Sequence, residues 1–134
     1  MNDNYQLERR SMVEQVELSK IQIRALQALG HTRNHGYERG LICLPDGIDK
    51  ITIAAIDSRS FGEKILFVSH RNNVLFQARN EFFSRCKDSK LCLLSKSNFK
   101  ISLEFDIVLA NISILRDEKV LSFFKKRSFR LYYC

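Results

Sequence analysis

Residues 64–78, KILFVSHRNNVLFQA, contain a short apolar run, a polar turn and then apolar residues at helical spacing. The run at 64–68 has no polar alternation, which is typical of a strand buried on both faces of a sheet. From Asn72 to Cys86 the spacing predicts a helix. Its apolar side is expected to carry Val74, Leu75, Ala78, Phe82 and Phe83. A buried strand followed by a helix is the repeating unit of α/β proteins.

The same pattern recurs along the chain. Further strands are predicted at Leu41–Leu44, Leu91–Leu94, Asp106–Ala110 and Phe129–Tyr133, and further helices over residues 51–60 and 117–124. Residues 5–36 are predicted to be helical, with Ser19 as the N-cap of a second helix. The fold class is therefore α/β, with a parallel sheet flanked by helices over residues 37–134 and an N-terminal helical segment over residues 1–36.

Composition limits the function classes. The chain has 134 residues and a net charge of +7, which favours one soluble domain with a polyanion as partner. No apolar segment follows the amino terminus, and polar residues interrupt the longest apolar stretch, Phe105–Leu115. We therefore expect a cytoplasmic protein without a membrane span.

The four cysteines, at positions 43, 86, 92 and 134, lack the spacings of a zinc site. They are expected to be reduced and mostly buried. No metal site is predicted.

Four ordered blocks carry a resemblance to a known family. They are IQIRALQAL at 21–29, RGLICLPDGIDKITIAAIDS at 39–58, KILFVSHRNNVLFQA at 64–78 and FDIVLANISIL at 105–115. Together they resemble the first motor domain of superfamily 2 DNA helicases, of the DEAD/DEAH-like type shared with type III restriction subunits and UvrB-like proteins. The resemblance covers roughly residues 18–130. It implies a RecA-like P-loop fold, ATP and Mg²⁺ as cofactors, and DNA as partner.

The resemblance assigns a nucleotide site to the first two blocks. Gln22 matches the glutamine that contacts adenine, although a glutamine on a helix is otherwise often only solvated. The phosphate loop keeps Pro45, Gly47 and Lys50, while Asp49 replaces a glycine and Ile51 replaces the threonine that holds Mg²⁺. A carboxylate beside the phosphates repels them, so we expect ATP binding to be severely reduced or absent. An ordinary turn with a surface lysine is the alternative.

The third and fourth blocks resemble the family's DNA contacts. Ser69, His70 and Arg71 match a turn that contacts the sugar-phosphate backbone; a plain helix start with a solvent-facing Arg71 is the alternative. Residues 106–115 match the second contact motif only in part, and a buried strand leading into a helix is the safer description. The basic, aromatic segment 123–133 is interpreted as a solvated turn before a strand, with a nucleic-acid patch as the alternative.

The chain ends before the Asp-Glu-x-His motif that the family uses to hold magnesium. No catalytic residue is assigned, and the expectation is a truncated, degenerate N-terminal helicase fragment without ATP hydrolysis of its own, although intact relatives are hydrolases. A non-enzymatic basic interaction module, or half of a split motor that pairs with a separately encoded remainder, is the alternative. Such a chain is expected to be a marginal monomer with exposed apolar sheet faces.

Overall fold

The computed structural model describes residues 18–60, 64–95, 97–127 and 129–134, and for residues 101–103 it describes the backbone only. Its strands are β1 (Ile65–Ser69), β2 (Leu91–Leu93), β3 (Ile107–Asn111) and β4 (Arg130–Tyr133). Its α-helices are α1 (Lys20–Asn34), α2 (Lys50–Ser58), α3 (Asn72–Arg85), α4 (Ile112–Leu115) and α5 (Glu118–Lys125), and Phe99–Glu104 forms a 3-10 helix.

The four strands form one parallel sheet in the order β2-β3-β1-β4. Strand β1 pairs with β3 from Ile65↔Ile107 to Ser69↔Asn111, and on its other side with β4 from Ile65↔Arg130 to Val68↔Tyr133. Consecutive parallel strands need crossover connections, and these helices provide them. The predicted fold class, an α/β protein with a parallel sheet flanked by helices, is confirmed and is consistent with a RecA-like fragment.

Each face of the sheet carries its own core. On one face Phe67 packs against Phe82 of α3, with ring centroids 5.7 Å apart and in edge-to-face contact. On the other face Val68 and Val108 pack against Val120 and Phe124 of α5. Because both faces are covered, β1 is buried along its whole length, which explains why its sequence is apolar without alternation.

Short polar residues start the helices. Ser19 caps α1 in a capping box: the Gln22 N–H donates to Ser19 Oγ at 3.2 Å, and the Ser19 N–H donates to Gln22 Oε1 at 3.0 Å. Asp49, Asn111 and Asp117 cap α2, α4 and α5 through their side chains. Such caps satisfy N–H groups that have no partner within the helix.

The predicted strand at Leu41–Leu44 is wrong. These residues belong to no strand, and Leu41 is 89% exposed. Leu41, Ile42 and Leu44 line a groove together with β4 but do not pair with it, and a strand is not stable without a hydrogen-bonded neighbour. The other predicted strands and helices within the described residues agree with the structure to within about two residues.

Two smaller expectations also need correction. Phe83 is 63% exposed and not on the buried side of α3. All four cysteines are free, but only Cys92 is buried, whereas Cys43 is exposed.

The part of the predicted N-terminal helices within residues 1–17 lies outside the described residues. Within those residues, no helix is long and apolar enough to cross a membrane.

Candidate functional site

The carboxyl ends of the parallel strands bring the predicted site residues to one edge of the sheet. Ser69 ends β1, Asn111 ends β3, and Cys134 follows β4. The loop before α2 lies at the same edge, since Lys50 and Cys134 line one groove. Burial raises the pKa of the Cys134 thiol, whereas the charge of Lys50 lowers it and that of Asp49 raises it. In α/β sheets ligands bind outside the carboxyl ends of the strands, so this edge is the candidate site.

The loop from Pro45 to Lys50 is an exposed turn. Gly47 has a φ of +85°, which glycine adopts without strain. The Ile48 N–H donates to the Pro45 carbonyl at 3.4 Å and closes the turn. Of the residues predicted for a phosphate loop, Lys50 is the first residue of α2 and Gly47 lies in the turn before it.

Asp49 already occupies the hydrogen-bond donors that a phosphate would use. Its Oδ1 accepts from the N–H groups of Ile51 and Thr52 at 3.0 and 3.1 Å, and its Oδ2 accepts from the Thr52 hydroxyl at 2.8 Å. The positive end of α2 is thus neutralised by the protein's own carboxylate. The Ile51 and Thr52 N–H groups are therefore already hydrogen-bonded within the protein.

Gln22 is buried, and both ends of its side-chain amide are used within the protein. Its Oε1 belongs to the capping box, and its Nε2 donates to the Asp49 carbonyl at 3.1 Å. The structure therefore places this residue against the loop, with its side-chain amide bonded within the protein. The Gln22 side chain thus hydrogen-bonds α1 to the residue that precedes α2.

The second group of predicted residues follows β1. Ser69 is fully buried, and its Oγ accepts from the Arg71 N–H at 3.2 Å. His70 and Arg71 are exposed, and Arg71 Nε donates to His70 Nε2 at 3.2 Å. Arg71 is the N-cap residue of α3 but makes no side-chain cap. Its guanidinium is therefore presented to solvent at the helix start.

A polar link joins the ends of β1 and β3. Asn111 Nδ2 donates to Asn72 Oδ1 at 2.9 Å, and Asn111 Oδ1 accepts from the Ser113 N–H at 3.0 Å. The two segments that resemble the DNA contacts of the helicases are thus neighbours in space. Arg71, Asn72 and Asn111 together form a polar, partly basic surface, which we call the β1–β3 ridge.

Comparison with known proteins decides the family. A family model described as "Type III restriction enzyme, res subunit" matches residues 15–131, which is most of the chain. The chain belongs to this family. A search of curated proteins found no match.

Membership of the type III restriction enzyme res subunit family makes this a helicase-like motor domain of the superfamily 2 type. The predicted resemblance is confirmed at that level. The parallel sheet and the loop–helix arrangement at its carboxyl edge agree with such a domain. In the described part of the chain, no group of three or more His, Cys, Asp or Glu side chains converges on one point.

Sequence reasoning missed a partly buried polar network around Asp57, near the end of α2. Arg33 Nη2 donates to both carboxylate oxygens of Asp57 at 2.7 Å, and the Tyr132 hydroxyl donates to Asp57 Oδ2 at 2.6 Å. Burial, followed by the hydrogen bond and the charge of Asp57, raises the pKa of Tyr132 well above its ordinary value. The network joins α1, α2 and β4. Its members are far apart in sequence, so no local signal marked it.

Proposed function

We propose that this helicase-like domain binds DNA through the β1–β3 ridge and neither holds ATP tightly nor hydrolyses it by itself. The observation that carries the DNA-binding half is the pairing of Asn72 with Asn111 beside the exposed Arg71. Two amides and a guanidinium are donors of the kind that proteins use against phosphate oxygens. The net charge of +7 adds a favourable long-range attraction for nucleic acid.

Single-stranded DNA binding at low salt tests this half. Arg71→Ala should weaken binding about fivefold or more and lower the salt slope by about 0.7, the loss of one phosphate contact. Arg59→Ala is the matched control, because Arg59 is exposed near the first residues of β1 and β3, at the opposite edge of the sheet. If both variants lost the same amount of DNA affinity, the loss would be explained by the change in net charge, which would contradict a role for the β1–β3 ridge.

The ATP half of the proposal follows from Asp49. Its carboxylate bonds the Ile51 and Thr52 N–H groups, and Ile51 offers no hydroxyl to a magnesium ion. We therefore expect no Mg-ATP binding at micromolar concentrations in calorimetry and no ATPase activity in the isolated protein, with or without DNA. Turnover by wild type that Lys50→Ala abolishes would contradict this half.

An alternative function, half of a split motor, is favoured by a different observation. A groove of about 480 Å³ is lined by the segment 37–44 on one side and by β4 on the other. The N–H groups of Arg130 and Cys134 donate to the carbonyls of Lys64, just before β1, and Val68. The backbone alternation therefore directs the N–H groups of Leu131 and Tyr133 toward the groove. Both of these side chains are also exposed, at 60% and 59%. An added strand would satisfy this edge.

Hydrogen exchange tests the alternative. The protein is purified from its native cells, and any co-purifying polypeptide is identified and re-expressed with it. If that polypeptide supplies a strand, the amides of Leu131 and Tyr133 exchange slowly in the complex and rapidly in the isolated chain. Exchange that is the same in both states would contradict strand addition at β4.

A further inference from the structure

Two of the three histidines in the chain lie side by side at the end of α1. His31 is in its last turn and His35 is its C-cap residue, in the sequence HTRNH. Residues four apart lie on the same face of a helix. Both side chains are exposed, and their ring centroids are 4.1 Å apart. The spacing is that of the two zinc-binding histidines in helical H-E-x-x-H sites, here without the glutamate.

The hydrogen bond of His35 sets its tautomer. Its Nδ1 lies 2.8 Å from the His31 carbonyl oxygen, and a carbonyl can only accept, so Nδ1 carries the proton. The Nε2 of the neutral ring is then left with a lone pair. A backbone carbonyl that holds one ring nitrogen while the other binds metal is the usual support for a histidine ligand.

Distance and charge both suit a divalent cation. Two nitrogens that each lie about 2.0–2.1 Å from one metal ion are about 3 Å apart, which rings with centroids 4.1 Å apart can reach. The carboxyl end of a helix carries partial negative charge. The nearest cation in the sequence, Arg33, has its guanidinium bonded to Asp57, which offsets its repulsion.

We propose that His31 and His35 form a surface site for a divalent transition metal such as Ni²⁺, Zn²⁺ or Cu²⁺. Imidazole nitrogens suit these ions and not Mg²⁺. Since no third His, Cys, Asp or Glu side chain of the described residues joins the pair in a cluster, water fills the remaining positions. The site is separate from the candidate nucleotide and DNA residues, and its test does not depend on their activity.

Titration of untagged protein with Ni²⁺, followed by the imidazole proton signals, tests the site. The chain has three histidines. Paramagnetic broadening should reach His31 and His35 first and spare His70, whose Nε2 accepts from Arg71. Calorimetry should show Ni²⁺ affinity falling about tenfold or more in His31→Asn and in His35→Asn, because each variant loses the second, intramolecular contact.

The controls separate this site from other ligands. His70→Asn removes a histidine elsewhere and should leave the affinity unchanged. Cys43→Ser removes the exposed thiol and should also have no effect. An excess of Mg²⁺ should not compete. The proposal is overturned if wild-type protein binds no Ni²⁺ at millimolar concentration, or if His70→Asn weakens binding as much as His31→Asn does.

Discussion

Replacing Asp49 with glycine is the sharpest test of the loop, because this one side chain occupies the donors at the start of α2. The carboxylate lies 3.0 and 3.1 Å from the Ile51 and Thr52 nitrogens. A phosphate bound to the same N–H groups would lie within about 4 Å of the carboxylate. The repulsion of one pair of unit charges at that distance is about 1 kcal/mol in water and about 4 kcal/mol near a protein surface.

Asp49→Gly should therefore raise Mg-ATP affinity by a factor of between about five and about a thousand, which corresponds to the loss of about 1–4 kcal/mol of repulsion. The substitution costs little stability, because glycine at an N-cap is only a few tenths of a kcal/mol worse than aspartate. Asp49→Asn keeps the cap but removes the charge, so its affinity should fall between those of wild type and Asp49→Gly. Adding Lys50→Ala to Asp49→Gly should abolish the gain.

Calorimetry with Mg-ATP is the assay, with urea unfolding to verify that each variant is folded. The reasoning is refuted if folded Asp49→Gly binds ATP no better than wild type does, or if wild type already binds in the micromolar range. A gain in Asp49→Gly that is absent in Asp49→Asn would assign the effect to occupied donors and not to charge.

Three further predictions concern the core and the sheet edge. Tyr132→Phe should lose about 1.5–3 kcal/mol of unfolding free energy, because it removes a hydrogen bond to the Asp57 carboxylate. Since the pKa of Tyr132 is raised in the folded chain, its contribution to stability is fully present below pH about 10, the ordinary tyrosine pKa, and is lost as pH rises above it. Urea midpoints from pH 8 to 11 should therefore fall less steeply in the variant, and parallel curves would contradict this. Phe82→Ala should cost about 3–5 kcal/mol in the same assay, because Phe82 is fully buried against Phe67; a loss below about 1 kcal/mol would mean that this core is loosely packed. Lysines at both Leu131 and Tyr133 should increase the monomer fraction in light scattering after gel filtration, because they place charge on the open edge of β4, and an unchanged distribution would show that this edge does not drive self-association.

The sequence predicted those parts of the fold that local patterns determine. Buried strands such as β1 and β3 are apolar throughout, and caps such as Ser19 mark helix starts, so both were located to within about two residues. The failure at Leu41–Leu44 has a different cause. An apolar run of four can be a strand only where another strand lies beside it, and that depends on the rest of the sheet. Phe83 shows the same limit, since helical spacing alone does not say how wide the covered face is.

The candidate site was predictable only as far as its residues are local. The loop, Lys50 and the turn after β1 were proposed as site residues from their motifs, and the structure places all of them at the carboxyl edge of the sheet. The role of Asp49 as a helix cap was missed, although Asp followed three positions later by a hydroxyl residue is compatible with one. The Arg33–Asp57–Tyr132 network joins three separate elements, and a single sequence carries no signal for such contacts.

Hydrogen bonds near both ends of α1 constrain how this helix can move relative to α2. Gln22 near the start of α1 is bonded to Asp49 at the start of α2, and Arg33 near its end is bonded to Asp57 near the end of α2. The two helices therefore run in the same direction and are hydrogen-bonded to each other near both ends. If α1 slid along α2 by one turn, about 5.4 Å, both sets of hydrogen bonds would break at once. We expect α1 to detach as one cooperative unit, so that its amides exchange with solvent together and not progressively from one end.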